Sequence, residues 1–364
     1  MRVAQLTFNA YNNYGNILQK YALQQTLKKF ADFTEVLWFN GNSGSSHFWA
    51  ETAEIPANKS LEHYLRAAVQ LSKFKEFDER YIKTRFNISY IEEVADEYDF
   101  FVMGSDQVWN PKVEPALMPF PIKFLSFVPS EKKIAYAASI ALKDIPNEFK
   151  EIYRQGISSF PHISVREENS VDIIKNLIGR KVETLLDPVF LLTPDEWKKV
   201  SRRPSWFNEK YSRGYILTYF WGNVQFEFIE NLSKTLNLPV IRLLNDKIFN
   251  YYSCGPEEFL YLFAHATVVF TESFHGTAFS TIFKVPFIDL MRPGTDHDMT
   301  VERMISLTKM FNLENKLATS RNNFKIDSPL EIDYSTRDKV LPLEREKAFK
   351  FLATALNSKG GVAQ

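Results

Sequence analysis

The chain has 364 residues, more than one ordinary core holds, so two units of roughly 150–200 residues are expected. Lys plus Arg and Asp plus Glu number 44 each, so no global charge attracts nucleic acid and no nucleic-acid partner is expected. Cys254 is the only cysteine, which excludes an internal disulfide, and no run approaches the roughly 20 apolar residues that span a bilayer.

The opening MRVAQLTFNAYNNYGN lacks the apolar stretch and cleavage site of a signal peptide, and a cytoplasmic location is expected. RVAQLTF at 2–8 predicts a strand, NAYNNYGN a loop, and ILQKYALQQTLKKF at 17–30 a helix; TEVLWF at 34–39 predicts the next strand. That βαβ order implies a parallel sheet with helices on its faces. Residues 40–60 have no period and predict a long loop. From Leu61 to Tyr81 a helix is predicted, with Leu61, Tyr64, Leu65, Ala68, Leu71 and Phe74 as its core face; a membrane-surface helix is the rival reading. YDFFVMGSDQVWN, KKIAYAASI, HISVREENSVDIIKNL and VETLLDPVFLL supply further strands, the third leading into a helix. The polar segment 202–214 predicts a linker.

The second half alternates more cleanly. YILTYFW, PVIRLL, TVVFT and PFIDL are predicted strands, each followed by a predicted helix, and no dinucleotide-binding glycine fingerprint is present. The expected class is α/β: a Rossmann-like domain over 1–200, a second over 213–335, and a tail over 336–364 whose helix LEREKAFKFLATAL packs back on the first half. The 32 phenylalanines read as core. Cys254 reads as a small buried apolar residue.

TVVFT followed by ESFHGTAFS places His275 beyond a strand's carboxyl end and at the start of a helix, where α/β folds bind ligands. Gly276 would let backbone approach a ligand, while Thr277 and free amides would favour an anion. A histidine that merely caps the helix would look the same.

GPEEFLYLFAHATVVFTESFHGTAFSTIFKVPFIDL resembles the polysaccharide pyruvyl transferase family, and so do NNYGNILQKYALQ, FFVMGSDQVWNP, ISVREENSVDIIK and LLDPVFLLT, in order across residues 1–320. The resemblance implies two GT-B-like domains with the site between them. It also implies a cytoplasmic transferase of capsule or exopolysaccharide synthesis, taking phosphoenolpyruvate as co-substrate and a sugar diol as acceptor. The first domain would then be the acceptor side and the second the phosphoenolpyruvate side. His275 matches the family's histidine and is the expected general acid; Arg166 matches an arginine that binds the donor, or is an ordinary ion pair with Glu167. Where many members carry arginine, this chain has Ser273, a neutral donor; Arg292 or Arg303 could supply the missing charge, or be plain surface charge.

Asp106 in GSDQVW could take the sugar's proton, or cap a turn. Gln107 and Trp109 could hold the acceptor, and the loop Asn13, Gly15 and Asn16 could shape its side. No redox cofactor and no metal is expected: DHD at 296–298 reads as a turn, His265 as packing, His47 as unsupported. A lipid-linked oligosaccharide acceptor would bring the enzyme to the inner membrane face. Rival readings are a nucleotide-sugar glycosyltransferase, a non-catalytic sugar- or anion-binding protein of the same fold, and an enolpyruvyl-type transfer. Retaining glycosyltransferases often carry glutamates eight apart; His265, Ala266 and Ser280 stand eight after Glu257, Glu258 and Glu272.

Overall fold

The computed structural model describes residues 1–9, 11–39, 61–88, 91–112, 118–221, 226–290, 297–318 and 329–357. The loop 40–60 with His47, Arg292, and Asp296 of DHD lie outside the described residues.

Short apolar runs buried on both faces make parallel strands, and helices cover them. The first sheet holds β1 (Arg2–Leu6), β2 (Phe33–Phe39), β3 (Thr84–Ile88), β4 (Phe100–Met103), β5 (Lys133–Ala138), β6 (His162–Val165) and β7 (Glu183–Thr184), in the order β3-β2-β1-β4-β5-β6-β7. The second holds β8 (Ile216–Tyr219), β9 (Val240–Leu243), β10 (Val268–Thr271), β11 (Phe287–Leu290) and β12 (Leu317–Ala318), in the order β12-β11-β10-β8-β9. Every pairing in both is parallel. The expected α/β architecture of two Rossmann-like sheets is observed. Edge strands β3 and β12 escape the sequence pattern, because TRFNI is polar and Leu317–Ala318 is only two residues long.

Strand order reverses between β1 and β4 in one sheet and between β8 and β10 in the other. Ligands bind beyond the carboxyl ends of strands at such reversals. The longer helices are α1 (Tyr14–Leu27), α2 (Leu61–Tyr81), α3 (Lys150–Ser158), α4 (Glu168–Ile178), α5 (Glu227–Leu236), α6 (Pro256–His265), α7 (Phe274–Phe283), α8 (His297–Met310) and α9 (Ser335–Asn357). So α1 follows β1, Asp106 follows β4, and α7 follows β10: all three lie at the reversals.

Helix α2 corrects its expected face. Phe74 is buried as expected, but its companions inside are Arg66, Gln70, Phe77 and Asp78, while Leu61 and Leu65 are 67% and 52% exposed. In the first half of α2 the polar side with Arg66 and Gln70, not the apolar stripe, faces inward. Buried polar bonds choose that side. Gln70 Nε2 donates to Tyr14 Oη at 3.1 Å and to the Tyr252 carbonyl at 2.8 Å, and Asp78 pairs with Lys20 at 2.7 Å with neither side chain exposed.

The two halves share one apolar cluster. Tyr14 of α1 stacks on Phe259 of α6 with centroids 4.5 Å apart, and its hydroxyl donates to the Cys254 carbonyl at 2.7 Å. Lys73 and Arg80 of α2 pair with Glu258 and Glu257 of α6 at 2.7 and 3.1 Å. Helix α9 returns to the first sheet, as expected. Arg345 donates to the carbonyls of Phe190 and Leu192 at 2.5 and 2.7 Å, and Lys347 to that of Thr184 at 2.8 Å. No helix among the described residues is long and apolar enough to cross a membrane.

Candidate active site

Two helix starts meet at the seam. Asn13 caps α1, its side chain accepting from the Asn16 amide at 3.1 Å, and Ser273 caps α7 in the same way, more loosely, from the Gly276 amide at 3.5 Å. Gly15 and His275 sit in the two first turns. A Cβ on Gly15 would lie 1.9 Å from His275 Nδ1, so the imidazole rests directly on the Gly15 backbone. His275 is 7% exposed. It is neither solvent-facing nor surrounded by hydrocarbon, because it stands at the interlobe seam among charges.

Arg166, just after β6, anchors those charges. Its Nη1 bonds Asp187 at 2.8 Å; Nη2 lies 3.6 Å from Asp106 and Nε 3.9 Å from Glu167. Asp187 also lies 3.8 Å from His275 Nε2 and caps the turn Pro188–Leu191 by accepting from the Val189 amide. The Phe274 ring takes the guanidinium of Arg166 at 4.6 Å and that of Arg303 at 5.8 Å. Asp106 receives the Gln107 amide at 2.8 Å and the Asn16 side chain at 3.5 Å.

Burial opposes charge on His275, Asp106, Arg166 and Arg303. It lowers the pKa of His275 below its usual value; Asp187 and Asp106 pull the other way, and Arg166 and Arg303 reinforce the fall. For Asp106 burial raises the pKa, but Arg166, His275 and Arg303 outweigh it and hold the carboxylate below its ordinary range. Arg166 is carried up despite burial by Asp187, Asp106 and Glu167. Burial first, then Arg166, brings Arg303 down to about 10.

Several buried polar atoms here have no hydrogen-bond partner: Arg166 Nε and Nη2, His275 Nε2, Asn16 Oδ1 and Glu167 Oε2. Native interiors rarely leave such groups unpaired, and each costs roughly 1–3 kcal/mol. Arg166 Nε and Nη2 and His275 Nε2 have carboxylates 3.6–3.9 Å away but no hydrogen bond, which leaves donors for an oxygen-rich guest.

The sequence-based site divides. His275, Arg166, Arg303, Asp106, Asn13, Gly15, Asn16 and Ser273 come together at the seam. Trp109 does not serve a sugar: it has no exposed surface, and its indole packs edge-on against Phe160 at 5.6 Å. Thr277 is corrected too, since its hydroxyl is spent on Asp289 at 2.7 Å beneath α7. Gly276 makes room for Thr271, whose Oγ1 would lie 2.3 Å from an added Cβ, rather than for a ligand. Gln107 accepts from Asn110 at 2.8 Å and is half-buried. His265 stacks on Tyr261 at 4.1 Å, as expected of a packing residue, and Cys254 is fully buried with its thiol pKa pushed up by burial. Sequence reasoning missed Asp187 and Phe274, although both stand inside the recognised stretches LLDPVFLLT and ESFHGTAFS.

The family model for polysaccharide pyruvyl transferase matches residues 13–290. The chain belongs to the polysaccharide pyruvyl transferase family. Membership makes it a transferase family member, and the match spans β1's exit loop through β11, including His275, Arg166, Asp106 and Asp187. No curated protein matches the chain. Among solved structures it is similar to the UDP-GlcNAc 2-epimerase of Neisseria meningitidis, at 10% identity and a TM-score of 0.46, covering 99% of this chain and 95% of that one. It is also similar to MurG of Acinetobacter baumannii, at 8% identity and a TM-score of 0.43, covering 98% and 99%.

Proposed function

We propose that this pyruvyl transferase family member moves pyruvate from phosphoenolpyruvate to a sugar diol as a cyclic ketal, with His275 as general acid. One observation carries the reading: His275 Nε2 and Arg166 Nε and Nη2 are buried without a hydrogen-bond partner, and both side chains meet at Asp187 at the lobe seam. Arg166 presents Nε and Nη2 as a fork that suits a carboxylate or phosphate. Arg303 adds charge across the Phe274 ring.

In the reaction the imidazolium N–H protonates the methylene carbon of the donor, and C2 becomes electron-poor. A sugar hydroxyl adds to C2 and loses its proton. The C2–O bond to phosphate breaks, phosphate departs with the electron pair, and a second hydroxyl closes the ring with loss of its own proton. Asp106, kept ionised by its arginine neighbours, accepts one of these protons or holds the acceptor hydroxyl. The family's name supports a polysaccharide acceptor, and the reading places it in cell-surface polysaccharide synthesis.

The nucleotide-sugar alternative has little to work with. Glu257 is occupied by Arg80, Arg202 and Tyr81, and Glu258 by Lys73 and the Gly255 amide. The test is incubation with phosphoenolpyruvate and a panel of sugar acceptors, following phosphate release and product mass. His275→Ala is expected to lose turnover while keeping donor affinity within a few fold. Phosphate release that survives His275→Ala, or tighter binding of a UDP-sugar than of phosphoenolpyruvate, would overturn the proposal.

A further inference from the structure

A second concave site lies away from the seam. Its walls are the amino ends of β6 and β7 and the last turns of α9, and its volume is about 630 Å³. Small-molecule sites commonly occupy roughly 300–1,000 Å³. Arg180, Lys181, Lys347 and Lys350 line it, with Glu183 as the acid beside them and the Phe351 ring as part of its wall.

These cations are not all committed to the fold. Arg180 holds the carbonyls of Phe160 and Pro161 at 2.6 and 2.8 Å, and Lys347 holds that of Thr184 at 2.8 Å. Both are therefore fixed in place; the carbonyls leave the charge of Arg180 uncancelled, while Lys347 also lies 3.7 Å from Glu344. Lys181 and Lys350 are exposed and have no hydrogen bond or ion pair among the described residues. Two pinned cations and two free ones around one concavity form an anchored cationic cradle. An ordinary solvated surface interleaves the two signs, and here four cations line the groove with Glu183 as the lining carboxylate and Glu344 beside Lys347.

The cradle is separate from the candidate active site. His162 lines the groove and Arg166 the seam, at opposite ends of β6. Four residues of strand separate them by about 13 Å. Likewise β7 begins at Glu183 in the groove, and the chain reaches Asp187 at the seam.

We propose that this groove binds a ligand carrying two or more phosphate charges. Four cations lining one concavity suit a polyphosphate better than a single carboxylate. Free pyrophosphate-type anions and anionic lipid headgroups offer the same chemistry, so the experiment has an arm for each.

Inorganic pyrophosphate is titrated calorimetrically into the full chain, its Lys181→Glu/Lys350→Glu variant, and a Lys199→Glu/Lys234→Glu variant with the same change in charge elsewhere on the surface. In parallel, each protein is sedimented with phosphatidylcholine vesicles with and without phosphatidylglycerol. The expected result is a tenfold or greater loss of pyrophosphate affinity, or loss of vesicle binding, in the first variant alone. Loss in the pyrophosphate arm identifies a soluble ligand; loss in the vesicle arm identifies a headgroup. Equal behaviour of all three proteins in both arms, including no binding by any of them, overturns the proposal. A Lys181→Ala/Lys350→Ala variant with unchanged Tm guards against misfolding of the charge reversal.

Discussion

Gly15 and His275 touch across the lobe boundary so closely that a single added carbon on Gly15 would fall 1.9 Å from Nδ1 and 2.4 Å from Cγ of the imidazole. Real Cβ contacts do not occur at such distances, so the ring or α1 must move. Gly15→Ala is therefore expected to cut kcat at least tenfold by displacing the proposed proton donor, since misplacing a reacting group by about 1 Å can cost 10²-fold. Overpacking of this kind costs roughly 1–3 kcal/mol, which a thermal melt would register as a modest fall in Tm. Wild-type turnover in this variant would show that the ring's seat on Gly15 is immaterial.

His275 must carry a proton to act as an acid, yet burial lowers its pKa, and near neutral pH the free protein holds it largely uncharged. Two guanidinium groups face three carboxylates around it: Arg166 and Arg303 against Asp106, Glu167 and Asp187. A multiply charged anion entering this pocket raises the histidine's pKa. Donor binding is therefore expected to take up close to one proton near neutral pH, and to weaken as pH rises. Calorimetry in buffers of different ionisation heat measures the uptake. Asp187 is the foremost group opposing the fall, so Asp187→Asn should move the high-pH limb of the activity profile, where the acid loses its proton, to lower pH. No proton uptake, together with an unmoved profile, would remove His275 from the acid role.

The element pattern of this chain was legible because nearly every strand is a short apolar run closed by a turn, as in TVVFT and PFIDL. His275 was legible because it stands just beyond such a run at the start of a helix, and Arg166 because ISVREENSVDIIK resembles the family. The face of α2 was not, since Leu61 and Leu65 advertise burial while Gln70 and Asp78 take it through partners on α1 and near residue 252. Asp187 was hidden for a related reason. Its meaning comes from Arg166, 21 residues earlier, and His275, 88 residues later, and no local period reports a meeting of that kind.

Asp289 lies under α7, accepts from Thr277 at 2.7 Å, and has its carboxyl pushed up to about 8 by burial, with Glu272 adding to the rise and the Thr277 bond opposing it. The folded chain holds a proton there that the unfolded chain, with an ordinary value of 3.8, has lost. Between these two values the unfolded state binds fewer protons, so this group's contribution to stability falls as pH rises and levels off above about 8. Asp289→Asn keeps an acceptor for Thr277 and abolishes the titration. The variant is expected to melt above the wild type at about pH 8, by at least about 2 °C, with the gap closing towards pH 5. A gap that stays constant across that range would mean Asp289 is ionised in the fold.

Trp109 separates a structural role from an acceptor role. The side chain is fully enclosed with Phe160 packed nearly perpendicular to it, and its Nε1 reaches the Lys123 carbonyl at 3.4 Å. Trp109→Ala should cost about 3–5 kcal/mol, the usual range for emptying a large aromatic site in a core. Trp109→Phe keeps most of the volume and loses only the weak indole bond. If the residue stacked on sugar, the phenylalanine variant would raise acceptor KM while leaving Tm almost alone. Because the ring instead fills the core beneath β4 and β5, the expected signature is the reverse: Tm falls and acceptor KM stays at the wild-type value. The two quantities measured on the same preparation decide between these roles.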